Sequence, residues 1–152
     1  AFQKMVYLLF GQPGSGKTVL GSMLAAHLST GFHIDGDEFR ELFSNNNYDR
    51  GGREENIKNA NAVATYLNHT QDQDVILTLV NPYEHLRDEL KQINPGQVVE
   101  VLLVTTRELK REFHVKDFEI GHPTISLNTD SREEDTFETL INCMEKKGYI
   151  NQ

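Results

Sequence analysis

The chain is predicted to be an α/β protein in which helices cover both faces of a parallel sheet. Short, nearly continuous apolar runs alternate with longer stretches whose apolar residues recur at helical spacing, the pattern of βαβ units with right-handed crossovers. A strand buried on both faces requires such unbroken runs, because neither side meets water. A glycine-rich loop joins the first run to the first helical stretch.

Met5 to Phe10 is the first strand, stopped by Gly11. From Lys17, the residues Leu20, Met23, Leu24 and Leu28 repeat at helical spacing until Gly31 ends the element. His33-Ile34-Asp35 is a short second strand, with a helical stretch from about Asp37 to Phe43. Ser44 to Tyr48 breaks it, since Ser and Asn side chains compete for backbone hydrogen bonds. Arg53 to Asn68 places Ile57, Ala60, Val63, Ala64 and Leu67 on one helical face. Asp74 to Val80 (DVILTLV) is a strand, and Tyr83, Leu86, Leu90 and Ile93 follow as a helix that Pro95-Gly96 ends. Val98 to Thr105 is the next strand, residues 106–123 are polar, and Thr124 to Leu127 is the last strand. Phe137, Leu140, Ile141 and Met144 mark a closing helix, for which the charges of Asp130 to Asp135 form a solvated start.

A length of 152 residues with 38% apolar content suits one core, so residues 1–152 read as a single domain. The formal charge of -8 opposes a nucleic-acid partner, whose affinity needs a basic surface. Cys143 is the only cysteine, which excludes an intramolecular disulfide and a cage of thiolates. Met5 to Phe10 is too short to span a bilayer and has no cleavage pattern, so no membrane partner and a cytoplasmic location are expected.

Gly11-Gln12-Pro13-Gly14-Ser15-Gly16-Lys17-Thr18 satisfies GxxxxGK followed by Ser or Thr, between a strand and a helix. The glycines let backbone N–H groups point inward, and the helix N-terminus favours phosphate oxygens, so this whole run is the ATP-binding candidate. Lys17 is the mobile charge for the β- and γ-phosphates and a catalytic candidate, and the Thr18 hydroxyl is a ligand candidate for Mg²⁺. The fold expectation narrows to the three-layer αβα P-loop NTPase/kinase fold.

No guanine-recognition motif is present, no DxxG switch follows the strand DVILTLV, and that strand ends without an acid to hold metal. Asp35, just past the second strand, is instead the candidate base or metal-linked carboxylate. Arg40, Arg53 and Arg87 are expected to converge at the open end of the sheet, where guanidinium forks bind phosphate or sulfate oxygens.

From Tyr7 to Asp130 these blocks resemble the adenylylsulfate kinase (APS kinase) family. Asp35-Gly36-Asp37 with Arg40 is similar to its DGD-x-x-R block, and Arg53-Glu54-Glu55-Asn56-Ile57 to its REENI helix start. Pro82-Tyr83 with Arg87 resembles SPY-x-x-x-R, Phe118-Glu119 the PYE part of the lid, and Asn128-Thr129-Asp130 the segment flanking the nucleotide base. The resemblance implies ATP as donor, Mg²⁺ as cofactor and the 3′-hydroxyl of adenosine 5′-phosphosulfate as acceptor, giving PAPS in sulfate assimilation. It implies catalytic roles for Lys17 and Asp35, metal ligation by Thr18 and Asp35, and an acceptor site of Asp35, Asp37, Arg40, Tyr48, Arg53, Asn56, Arg87 and Phe118. Partners would be small-molecule nucleotides, with a homodimer as a compatible assembly.

Two departures stand out. Asn81 replaces the family's serine before Pro-Tyr, a reported phosphoserine position, so direct transfer is the consistent route. The stretch between Thr106 and Phe118 is shorter than the family's lid and lacks its KG-LY and GFTG segments, leaving Lys110, Arg111 and Lys116 as alternative lid cations. A kinase for another small hydroxylated acceptor, or a regulatory module that hydrolyses ATP slowly, are the other readings.

Overall fold

In chain order the elements are β1 (Val6–Phe10), α1 (Lys17–His27), β2 (His33–Asp35), α2 (Gly36–Leu42), α3 (Arg50–Thr70), β3 (Val75–Leu79), α4 (Glu84–Ile93), β4 (Val98–Val104), β5 (Ile125–Asn128) and α5 (Glu133–Lys146). They are seen in a computed structural model that describes residues 3–151. The strands form one parallel sheet in the order β2-β3-β1-β4-β5. This is the three-layer P-loop architecture expected above.

Period-two alternation along each strand divides the apolar side chains between the two faces. Tyr7, Leu9, Ile76, Val101 and Leu103 pack with Leu20 and Leu24 of α1 and with Leu140, Ile141 and Met144 of α5. Val6, Leu8, Phe10, Val75 and Leu77 pack with Phe39 of α2, Ile57, Ala60 and Ala64 of α3, and Leu86 and Leu90 of α4. β1 is buried along its whole length, which explains its unbroken apolar sequence.

Element limits differ from the sequence reading in instructive places. Helix α3 begins at Arg50 rather than Arg53, because Asp49 Oδ1 accepts the N–H of Gly52 at 2.9 Å and caps the helix. That cap offsets the weak helix propensity of Gly51 and Gly52. The polar stretch 106–123 contains a 3-10 turn at Arg111–Phe113. In α5 the residues Glu133, Glu134 and Asp135 occupy the first turn, where acids complement the helix dipole. Among the described residues no helix is long and apolar enough to cross a membrane.

All strands being parallel, their carboxyl ends share one edge. β1 delivers the phosphate loop between the ends of β3 and β4, and β2 delivers Asp35 beyond β3. Loops with chemistry therefore gather at this edge.

Candidate active site

Gly14 and Gly16 hold φ of 85° and 93°, a left-handed conformation that glycine adopts without a Cβ clash. The resulting turn wraps Lys17, whose Nζ donates to Gln12 O at 2.9 Å and approaches Ser15 Oγ at 3.4 Å. Burial strips water from this ammonium and lowers its pKa to about 8, an effect that Asp37 and Asp35 oppose and Lys110 reinforces. From the far side, Thr129 Oγ1 donates to Ser15 O at 2.9 Å, fixing the loop to the end of β5. The neighbouring Asp130 accepts from Thr105 Oγ1 at 2.5 Å and from Thr106 N at 2.9 Å, and these bonds hold its carboxyl at about 2. The segment matched by sequence to a base-flanking role thus also braces the loop after β4.

Asp35 occupies the N-cap position of α2 but makes no capping hydrogen bond. Its Oδ1 instead accepts from Thr18 Oγ1 at 2.6 Å and from Thr78 Oγ1 at 2.9 Å. His33 Nε2 lies 2.8 Å from Thr78 Oγ1. Since the Thr78 hydroxyl donates to Asp35, the network assigns the His33 proton to Nε2. Burial lowers the pKa of His33, favouring the neutral ring that this chain of bonds uses. Close approach is possible because residue 21 is glycine: a Cβ there would collide with Thr78 Cγ2 and with His33 Nε2. The set Thr18 and Asp35 offers only oxygen donors, which suits a hard cation such as Mg²⁺. Two protein oxygens are too few for its octahedral shell, so phosphate oxygens and water would supply the rest.

The acceptor candidates gather around the N-termini of α2 and α3. Arg53 Nη1 donates to the buried Tyr83 hydroxyl at 3.2 Å. Asn56 Nδ2 donates to Gly36 O at 3.3 Å, while its buried Oδ1 has no partner. Asp37 is exposed in the first turn of α2. Arg40, 7% exposed, donates to Asn47 O at 2.8 Å and organises the loop after α2, with its guanidinium 4.2 Å above the ring of the exposed Tyr48. Arg87 reaches the open end of the sheet but is buried there. It is 1% exposed, donates to Asn81 O at 2.8 Å and to Glu119 O at 2.5 Å, lies 4.4 Å over the Phe10 ring and pairs with buried Glu100 at 3.8 Å. Its guanidinium is engaged by the protein's own groups. Phe118 likewise stacks on Phe10 at 6.1 Å, as a wedge under the lid.

Residues 107–119 lie across the phosphate loop. The Gln12 carboxamide pairs at two points with the Val115 backbone, Nε2 donating to O at 2.8 Å and Oε1 accepting from N at 2.9 Å. His114 Nε2 sits 3.2 Å from Pro13 O, and Leu109 O lies 2.8 Å from the place a Cβ would take on Gly14. At its stem, Glu119 N donates to Pro82 O at 2.9 Å, and Glu119 Oε1 accepts from Glu84 N at 2.8 Å at the start of α4. This segment, the lid, is thus closed onto the phosphate loop. A hollow of about 380 Å³ between Tyr7, His27, Asp74 and Tyr149 lies at the opposite end of the sheet, away from this chemistry.

Sequence reasoning missed Thr78, His33, the bond from Thr129 to the phosphate loop and the lid pairing of Gln12. The signals for the first two were a hydroxyl inside an apolar strand and the two-residue spacing of His33 and Asp35, which puts both on one face of β2. The pairing of Gln12 with Val115 spans 103 residues, and nothing local marks it.

A parallel sheet ending in this phosphate loop, with a lid over it and a carboxylate at the end of the strand two places away, defines a P-loop kinase fold. The chain belongs to the adenylylsulphate kinase family, whose pattern it matches over residues 3–119. It is 34% identical over 84 residues to the cytidine diphosphoramidate kinase of Campylobacter jejuni, a match covering 53% of this chain. The match spans about half, 49%, of that relative. The APS kinase of Mycobacterium tuberculosis, solved in complex with AMPPNP and APS, superposes with a TM-score of 0.77 at 19% identity, covering 95% of this chain and 99% of that one. Shikimate kinase from Aquifex aeolicus superposes with a TM-score of 0.63 at 18% identity, covering 94% and 98%. These structural likenesses define the fold.

Proposed function

We propose that the chain transfers the γ-phosphoryl group of ATP to a hydroxyl of a nucleotide whose 5′-phosphate carries a second group, the 3′-hydroxyl of adenosine 5′-phosphosulfate being the first candidate. The observation that carries this reading is the carboxylate of Asp35, held by Thr18 beside the phosphate loop instead of capping its helix. In the transfer, the acceptor oxygen attacks the γ-phosphorus, the bond to the β-γ bridging oxygen breaks, and ADP leaves. In this reading Asp35 takes the acceptor's proton, a role worth roughly 10²–10⁴ in rate. Lys17 neutralises charge on the phosphoryl oxygens as it builds. Mg²⁺, held by Thr18 and Asp35, would supply further charge neutralisation when bound. Arg40, Arg53, Asn56, Asp37 and Tyr48 surround the place for the acceptor, and Tyr48 offers an aromatic face for a base. Residues 107–119 exclude water, which suppresses wasteful hydrolysis.

A second acceptor, cytidine diphosphoramidate, is favoured by the relative named as a kinase for it. The deciding experiment incubates purified protein with Mg-ATP and adenylylsulfate, cytidine diphosphoramidate or shikimate, and follows ADP release and product mass. Stimulation by one of the nucleotides with a gain of one phosphate is expected. Stimulation by shikimate alone would refute the proposal, and ATP binding without stimulation by any acceptor would favour a regulatory module.

A further inference from the structure

At the carboxyl tip of β3, Asn81 is 1% exposed, and neither its Nδ2 nor its Oδ1 has a hydrogen-bond partner. Its φ of 43° is left-handed. Burying an amide with both ends unpaired destabilises the free protein, and positive φ adds strain; such features persist where a ligand completes a site. Other buried amides differ. Asn56, Asn61 and Asn68 leave only Oδ1 unpaired, while each Nδ2 donates, to Gly36 O, Leu86 O and Asn94 Oδ1 respectively. Among the described residues Asn81 alone has both ends open.

Its position ties it to the reaction. β3 lies between β1 and β2, Val80 O accepts the N–H of Gly11 at 3.3 Å, and Thr78 of the same strand holds Asp35. Asn81 therefore stands between the first residue of the phosphate loop and the carboxylate. Arg87 joins Asn81 O to Glu119 O, and Glu119 N bonds Pro82 O, so the stem of the lid is tied to the backbone at Asn81 and Pro82.

We propose that Asn81 reads the acceptor by engaging a vicinal diol, with Nδ2–H donating to the hydroxyl oxygen that is phosphorylated and Oδ1 accepting from the neighbouring hydroxyl. This rests on the reading of the chain as a nucleotide kinase and deepens it: the required feature is a ribose 2′,3′-diol. The argument is one of donor and acceptor count. Phosphate and sulfate oxygens only accept, and would leave Oδ1 unpaired, whereas a diol supplies a donor and an acceptor side by side. A bond received at one lone pair of the attacking oxygen leaves another for the attack and leaves its proton free to pass to Asp35.

The test is calorimetric binding, with MgADP present, of adenylylsulfate and cytidine diphosphoramidate, each against its 2′-deoxy analogue. The proteins compared are wild type, Asn81→Gly and Asn81→Asp. Glycine keeps the backbone carbonyl that Arg87 uses and relieves the positive φ, and aspartate is isosteric and tolerates it. Wild type should bind the ribose form of its acceptor about tenfold or more tightly than the deoxy form. Asn81→Gly should lose that preference, with a melting temperature that holds or rises, whereas Asn81→Asp, which keeps an oxygen to accept from the 2′-hydroxyl but has no N–H for the oxygen that is phosphorylated, should keep it. An Asn81→Gly protein that keeps the ribose preference, an Asn81→Asp protein that loses it, or a wild type without one, would overturn the role of Asn81 alone. Failure of wild type to bind either ribonucleotide would instead remove the nucleotide-kinase reading and this proposal with it.

Discussion

Lys17 in the free protein spends its donors on the carbonyl of Gln12 and the hydroxyl of Ser15, with its pKa lowered to about 8 by burial. A bound triphosphate would replace those contacts with anionic oxygens and draw the proton back. The sign follows directly: above about pH 8 the free lysine is largely neutral, so association of ATP must take up a proton. Affinity for Mg-ATP should therefore be flat below that pH and fall above it, by up to about tenfold per pH unit. Lys17→Arg, whose guanidinium stays charged, should flatten the profile even if affinity is weaker throughout. Titration calorimetry between pH 7 and about pH 10 checks this, and an identical slope in both proteins would contradict it. At this scale the sequence was most informative where a residue's neighbours in the chain are also its neighbours in space. Gly11 to Thr18 was legible for that reason, because a phosphate loop is built from consecutive backbone groups. The burial of Arg87 was not legible because its surroundings, Phe10, Glu100 and Glu119, come from three distant segments.

The elements followed hydrophobic periodicity closely, and they diverged where a side chain far from the core set a boundary. Asp49 starts α3 ahead of two glycines, a cap that outweighs propensity. The lid is the opposite case: residues 106–118 have no apolar period, and their placement comes from hydrogen bonds to the phosphate loop. Two of those bonds belong to Gln12. Losing them in Gln12→Leu should free the segment, since each bond contributes on the order of 1 kcal/mol. Trypsin should then cut after Lys110, Arg111 or Lys116 about tenfold faster than in wild type, while the rest of the chain resists as before. Equal cleavage rates in the two proteins would show that Gln12 does not hold the lid.

For the whole molecule, the alternation of strands and helices was enough to predict a parallel sheet with its chemistry at one edge, because right-handed crossovers leave few topologies. The strand order β2-β3-β1-β4-β5 was not legible, yet it makes the site. It sets β3 between the phosphate loop and Asp35, so that Thr78 and Asn81 stand beside groups far from them in sequence. His33, Thr78, Asp35 and Thr18 then form one line of hydrogen bonds running from the flank of α1 to the mouth of the loop. The central claim is that the carboxylate within this line, Asp35, accepts the proton of a nucleotide hydroxyl during phosphoryl transfer. Asp35→Asn keeps the shape and the oxygen that Thr18 and Thr78 bond, but removes the base. Acceptor-stimulated ADP release should fall by roughly 10²–10⁴ in that variant relative to wild type, with the protein still folded; undiminished stimulation would contradict the account.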